Sequence, residues 1–524
     1  MASDIEAKHD ARQPTDRQHD GDAFEQPPSK PRSALHHLHT YLSIALLFLN
    51  YFLAQYDKFI LSYFQSSVLR SLSMNSTQYA LISGYATGIV YALLALPIAY
   101  IADYTQARVW VLSVAATWWS LCVIFQGLAH NFWQLFCARI GMGVGQSCVE
   151  ALSVSLISDL VGWKNVFVGT SVLYVGVYIG EAVSGQIATA FTKTGQSWQV
   201  AMRAIGIVGI VIAVLIRLVL SEPRRRASLV QLGQRDGNAT GDASLDGAGA
   251  VPHMRGSKLR AARSDFLASL NYIFRMRSFW LLVLSAAFRQ LSGYVFGYYM
   301  PSYLSNTYPS HTELYSRYGI IVGVVGTLTV LSGGILTSLL WHKTKMIPLC
   351  LTAIGGMISS VFVLLMIFSR QMAGGNEDRG IRILYSTMSM AYLSAELWLG
   401  ALFGLIALLL PPAYKTFGLA IWSSIQVLVA SSGPEIVGLA LKDVDPESAE
   451  YTKVTRIALA VIIPTGYWLA GIGFLLALPL LKRDLRQDFV QKLSKRRRCG
   501  FWAFAGVLCV VVVVLFTTSL VYRA

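Results

Sequence analysis

From the amino terminus the chain is first polar and then abruptly apolar. The first 40 residues are rich in Asp, His, Gln and Pro and hold no apolar stretch, which predicts a disordered tail rather than a signal peptide or a folded unit. Beyond it come runs of about 20 mostly apolar residues, the length that crosses a bilayer as a helix. They fall at 41–64, 78–102, 109–128, 133–158, 166–191 and 200–220. A polar stretch at 221–277, rich in Gly, Ala, Ser and Arg, is followed by six more runs at 278–303, 316–341, 347–369, 388–411, 416–440 and 456–481. A last run, 501–522, follows directly on the basic segment 482–500 with its Lys495-Arg496-Arg497-Arg498. The pattern predicts an all-α membrane protein: a tail at 1–40, six-helix bundles at 41–220 and 278–481, a linker at 221–277, and an extra transmembrane helix at 501–522. The alternative for that last run is a helix lying on the surface, but its Val and Leu, free of charge until Arg523, favour spanning.

Composition agrees with lipid as the solvent. Charged residues make up 14% of the 524, against about a quarter in soluble proteins. The net charge of +15 would suggest nucleic acid in a soluble protein, so the placement of the bases matters. Ten Lys and Arg lie in 221–277 and eight in 482–498, on one predicted side together with Arg108, Lys164, Lys343, Lys345 and Lys415. The acids Asp443, Asp445, Glu447 and Glu450 fall on the other. Because bases collect on the cytoplasmic face, the amino terminus is expected there, and the charge reports orientation and anionic-lipid contact rather than nucleic acid. The sequon Asn75-Ser76-Thr77 then lies outside, where glycosylation is possible, and Asn238-Ala239-Thr240 inside. The six Cys form no CxxC pairing, so neither a disulfide framework nor a zinc site is expected. HExxH, GxSxG and Walker patterns are absent, so an enzyme is not expected, nor a metal or cofactor.

Ionisable side chains inside these runs cost at least about 2.5–3.5 kcal/mol each to insert, which marks Asp57, Arg139, Glu150, Glu181, Arg289 and Glu396 as functional candidates. In the fourth run, Arg139, Gly143, Gln146 and Glu150 are spaced four, three and four, so they form one polar stripe on a helix. At about 1.5 Å per residue, Asp57 in the first run and Arg139 in the fourth both lie some 9–11 Å below the outer end. These two are candidates for a pair that lines a cavity or ties two helices. Glu181 sits among Gly176, Gly180 and Gly185, small residues that let backbones approach closely. It is either hydrogen-bonded across that contact or facing the cavity. Arg289, with Gln290, and Glu396 supply matching groups in the second half, while Tyr294, Tyr298, Tyr299, Trp398 and Phe403 read first as packing or interface belt.

Six plus six runs about a basic linker is similar to the major facilitator superfamily, and local strings resemble it too. Where that family carries G-x-x-x-D-R-x-x-R-[RK] between helices 2 and 3, this chain has Ala99, Asp103, Tyr104, Ala107 and Arg108. The resemblance implies that Asp103 caps a neighbouring helix and that Asp103 and Arg108 gate the cytoplasmic end. The Gly-rich stretch from Gly176 to Gly185 resembles an antiporter motif. Asp57-Lys58-Phe59 resembles the D-R-[FY] of the Spinster-like branch, and Arg139, Gly143, Gly145 and Ser147 its R-x-x-x-G-x-G-E-[AS], with Gln146 in the place of the Glu. An acid appears one turn later, at Glu150. The branch exports lysolipids and sphingoid phosphates, which implies a secondary carrier for an amphipathic anion in a multi-pass membrane protein. Asp57, Glu150 and Glu181 are then candidates for proton coupling, and Arg139, Gln146, Arg289 and Glu396 for substrate binding. A carrier of another small organic anion or drug, and a non-transporting receptor or scaffold, are the rival readings. The expected partners are the substrate and the bilayer, with the chain acting as a monomer.

Overall fold

In the computed structural model, residues 34–223, 270, 273–311, 313–410, 415–445, 448–485, 506–507 and 510–518 are described. Most of the expected tail and of the central linker, the 495–498 basic cluster and Asn238 lie outside them, while residues 34–40, expected to belong to the tail, are helical and continuous with the first span. The described residues are helical, and twelve helices are long and apolar enough to cross a membrane. These are α1 (His37–Tyr63), α2 (Ser76–Thr105), α3 (Arg108–Gln126), α4 (Phe132–Gly162), α5 (Lys164–Thr194), α6 (Trp198–Val219), α7 (Arg277–Thr307), α8 (Leu314–Leu340), α9 (Ile347–Ile367), α10 (Glu377–Leu409), α11 (Lys415–Ala440) and α12 (Ala449–Asp484). They form two bundles of six.

Hydropathy misses the starts of α10 and α12 by 11 and 7 residues, because their first two turns carry Glu377, Asp378, Arg379 and Arg382, and Glu450 and Lys453. Side-chain caps mark these starts instead. Asn75, Asn131, Asn376 and Ser448 each accept a backbone N–H of the first turn of α2, α4, α10 and α12, worth about 1 kcal/mol apiece. All four caps lie at the end of the bundle away from the linker, here the far end. At the linker end, Gly162 takes φ 70°, the left-handed region open to glycine at little cost, and α4 turns into α5 with almost no loop.

Within the first half α5 packs on α1 at backbone distance: a Cβ on Gly176 would meet the Phe52 nitrogen at 3.1 Å, and one on Gly180 the Tyr56 nitrogen at 3.0 Å. Two seams join the halves, α2 against α11 and α5 against α8 and the end of α10. The outer faces of α3 and α6 present Trp110, Val114, Trp118, Ile207, Val211 and Leu218 to the surroundings, the reverse of a soluble protein and what a lipid solvent requires.

Three helices are interrupted. The α-helical hydrogen bonding of α4 breaks at Ser147 and Cys148, that of α10 at Glu396–Trp398, and α8 holds a π-helical segment at Val322–Gly326. Such interruptions cluster at functional sites. Residues 510–518 of the predicted thirteenth span are helical, with Val512 buried and the Phe516 ring 6.3 Å from that of Tyr85 on α2.

Candidate functional site

The interrupted stretches of α4 and α10 border a cavity between the halves. It is partly open to the outside and is lined by α1, α2, α4, α5, α7, α9, α10, α11 and Tyr467 of α12. Arg139, Gln146, Glu150, Glu181, Arg289 and Glu396 all line it. Asp57 does not. It is fully buried behind Arg139, whose Nη1 stands 3.9 Å from Asp57 Oδ2. In the second half Arg289 Nη2 lies 3.6 Å from Glu396 Oε1. Each half therefore holds one close acid–base pair between its first and fourth helices, with polarity reversed: acid on α1 and base on α4, base on α7 and acid on α10.

The break in α10 supplies more than Glu396. It frees the Ala395 carbonyl, which accepts from Arg289 Nη2 at 2.9 Å, and it lets Trp398 Nε1 donate to Glu396 at 3.2 Å. The guanidinium also stacks over Tyr467 at 4.0 Å. Trp398, assigned to packing from the sequence, thus joins the site.

Glu150 stands just past the break in α4, held by hydroxyls of three other helices. Its carboxylate accepts from Tyr51 of α1 at 3.1 Å, Tyr174 of α5 at 2.9 Å and Ser423 of α11 at 2.5 Å. Glu181 lines the cavity and accepts from Tyr318 of α8 at 3.1 Å, rather than across the contact that Gly176 and Gly180 make with α1.

Sequence reasoning left Lys58 off the candidate list. It lines the cavity with its Nζ 3.7 Å above the Tyr294 ring of α7. The signal was present: Lys58 occupies the basic position of the Asp57-Lys58-Phe59 string. Against these cations stand buried donors that find no acceptor among the described residues: Nε and Nη2 of Arg139, Nε of Arg289, and Nε2 of Gln146 and of Gln426. Buried donors normally have partners, so this cavity is chemically suited to a ligand that brings acceptors.

At the linker end the halves are tied by a second cluster. Asp103 Oδ2 accepts from the Phe417 backbone N–H at 3.0 Å, capping α11 across the interface. Arg108 donates to Asp159 and Glu222, both at 2.7 Å. Asp159 also takes Lys415 at 2.9 Å, and Ser155 bonds Thr416 at 2.8 Å. Asp159 was missed because it sits at the end of a hydrophobic run, where its partners are distant in sequence. At the far end, Gln65 donates to Tyr451 at 3.1 Å, and Gln186 and Ser316 exchange hydrogen bonds at 2.8 Å. Contacts between the halves therefore stand on both sides of the cavity. Asn75 is exposed, but its side chain already caps α2 and Thr77 is buried.

The sequence pattern of the Major Facilitator Superfamily matches residues 47–434. A sphingosine-1-phosphate transporter of Danio rerio is 23% identical over 280 residues, 51% of this chain and 50% of that one. A protein of Escherichia coli K12 named "Probable L-galactonate transporter" is 25% identical over 292 residues, 55% of this chain and 59% of that one. The matched stretch thus spans only about half the length of these two relatives. Among solved structures, a bacterial homolog to the human lysosomal transporter Spinster, inward-facing and unoccupied, superposes with a TM-score of 0.57 at 18% identity, covering 89% of this chain and all of that one. That likeness concerns the fold.

Proposed function

Because the chain belongs to the Major Facilitator Superfamily, and is therefore a multi-pass membrane transporter and not an enzyme, we propose that it is a secondary carrier of an amphipathic anion, with a lysophospholipid or sphingoid phosphate as the substrate class. One observation carries this reading: the cavity presents Lys58, Arg139 and Arg289, with nitrogens of Arg139, Arg289, Gln146 and Gln426 that lack acceptors among the described residues, amid the rings of Tyr294, Tyr298, Phe296 and Trp398. A phosphate head supplies acceptors and charge; a tail suits the aromatic and aliphatic wall. The sphingosine-1-phosphate transporter among the relatives supports the same class.

In the mechanism that follows, the two bundles rock about the cavity. Protonation of Asp57 weakens its hold on Arg139, which turns to the headgroup; deprotonation after release re-forms the pair. Arg289 and Gln146 bind the head from the facing walls, with Glu396 holding Arg289 until the anion arrives. Glu150 and Glu181 are further proton carriers, since both are carboxylates reached from the cavity. Asp103 and Arg108, with Asp159 and Lys415, close the linker end, the cytoplasmic end in this reading because bases collect on that face.

A second reading, a carrier of a small hydrophilic anion such as a sugar acid, is favoured by the many tyrosine hydroxyls on the wall and by the galactonate relative. Purified protein in proteoliposomes separates the two. Lysophospholipid or sphingoid phosphate should be carried and should compete with any smaller anion at lower concentration. Uptake of a sugar acid that lysolipids do not inhibit would reject the lipid assignment.

A further inference from the structure

Among the hydrogen bonds across the seam between α5 and the second half, which include those of Gln186 with Ser316 and of Thr170 with the Gly400 carbonyl, two share one chemistry and run in opposite directions. Tyr178 of α5 donates to Glu396 Oε2 of α10 at 2.6 Å. One turn nearer the far end, Tyr318 of α8 donates to Glu181 Oε1 of α5 at 3.1 Å. Each half thus lends the other one tyrosine and one carboxylate. The seam is also where α8 departs from α-helical geometry: the π-helical Val322–Gly326 lies against α5. A Cβ on Gly319 would meet the Ala182 carbonyl oxygen at 2.8 Å, and one on Gly323 the Ala182 Cβ at 2.8 Å. A one-residue excess in the helix is thus placed opposite the only stretch of α5 that carries both latch residues.

The inner bond also ends on a ligand-facing group. Glu396 Oε2 takes Tyr178 while its other oxygen faces Arg289 at 3.6 Å. An anion that draws Arg289 away therefore removes the positive charge beside the acceptor that holds Tyr178, and so alters the strength of a bond that closes the seam.

We propose that Tyr178 and Tyr318 are positioning residues for transport, crossed latches at the middle of the α5 seam that hold it closed beside the cavity and tie its opening to the occupancy of Arg289. The proposal rests on the family's transport activity and on Arg289 meeting the substrate, and is independent of which anion is carried. It differs from the lock at the linker end, which uses Asp103, Arg108, Asp159 and Lys415 on other helices.

The test uses full-length protein in detergent micelles on a background lacking native cysteines, with spin labels at Ala190→Cys on α5 and Arg317→Cys on α8, both exposed. Tyr178→Phe and Tyr318→Phe each remove one hydroxyl and keep the ring packing, so the fold persists. Each should raise the share of the long-distance, open population about tenfold relative to the closed one, since bonds to charged groups are worth enough for that. Tyr178→Phe should also abolish the response of the distance to substrate, while Tyr318→Phe keeps it. In transport assays both should lower turnover with little change in KM. Unchanged distances and turnover in the Tyr178→Phe/Tyr318→Phe double variant would overturn the latch. If the single-variant distances shift but neither responds to lysolipid, Arg289 does not sense that substrate, and the link to its occupancy falls. Latching with transport of a different anion leaves this inference standing while the lipid assignment fails.

Discussion

Removing Arg139 leaves the Asp57 carboxylate buried behind the cavity wall with its cation gone. Breaking such a pair from one side costs about 3–5 kcal/mol, whereas replacing both partners by neutral groups of similar shape costs far less. Arg139→Ala should therefore lose transport and also lower the melting temperature in detergent. Asp57→Asn/Arg139→Gln should recover most of the thermal stability while remaining inactive. Asp57→Asn alone should carry substrate without the wild-type dependence on pH, measured as uptake against a proton gradient in proteoliposomes. An Asp57→Asn protein with an unchanged pH profile would remove Asp57 from the coupling step. The position of these two residues was legible from counting residues along each helix, because 1.5 Å per residue converts sequence into depth. Lys58, the partners of Glu150 and the bridging role of Asp159 were not. Each depends on which side of its helix meets a neighbour far away in sequence.

Among the helices, α5 bears most of the burden, since it packs on α1 within one half and on α8 and α10 across the seam. Its glycines make the first contact possible. A side chain at Gly180 would begin 3.0 Å from the Tyr56 nitrogen, and over-packing of this kind costs about 1–3 kcal/mol. Gly180→Leu should lower the melting temperature by several degrees and reduce the yield of monodisperse protein, whereas Gly195→Ala, in the open space after α5, should act only through its left-handed backbone and do less. Equal losses from both would show that close approach to α1 is not what Gly180 provides. The close spacing was readable from small residues recurring along the run. The helix partner was not, because a glycine stripe shows that some backbone comes near without saying which.

For the whole molecule, the charge of +15 becomes a statement about sidedness. If the linker faces the cytoplasm, the far end with Asn75 faces outward or into a lumen. An epitope inserted in the linker should then be shielded from antibody in intact cells, and any glycan on the chain should map to Asn75 and disappear in Asn75→Gln. Since Asn75 caps α2 and Thr77 is buried in the fold, modification would have to precede folding. Antibody access to the linker without permeabilisation would reverse the orientation.

The sequence by itself determined twelve spans, the halves they fall into and the few charges worth explaining, because apolar length, polar interruptions and the cost of burying charge are local properties of the chain. It also carried a resemblance that the match over residues 47–434 made firm. Only the tertiary structure decided that Asp57 stands behind the cavity rather than in it, that Glu150 is held by hydroxyls from both halves, and that Trp398 and Tyr178 donate to Glu396 and Tyr318 to Glu181. Those outcomes follow from rotation about each helix axis and from breaks in α4 and α10, and both are set by contacts between segments that the order of residues does not bring together.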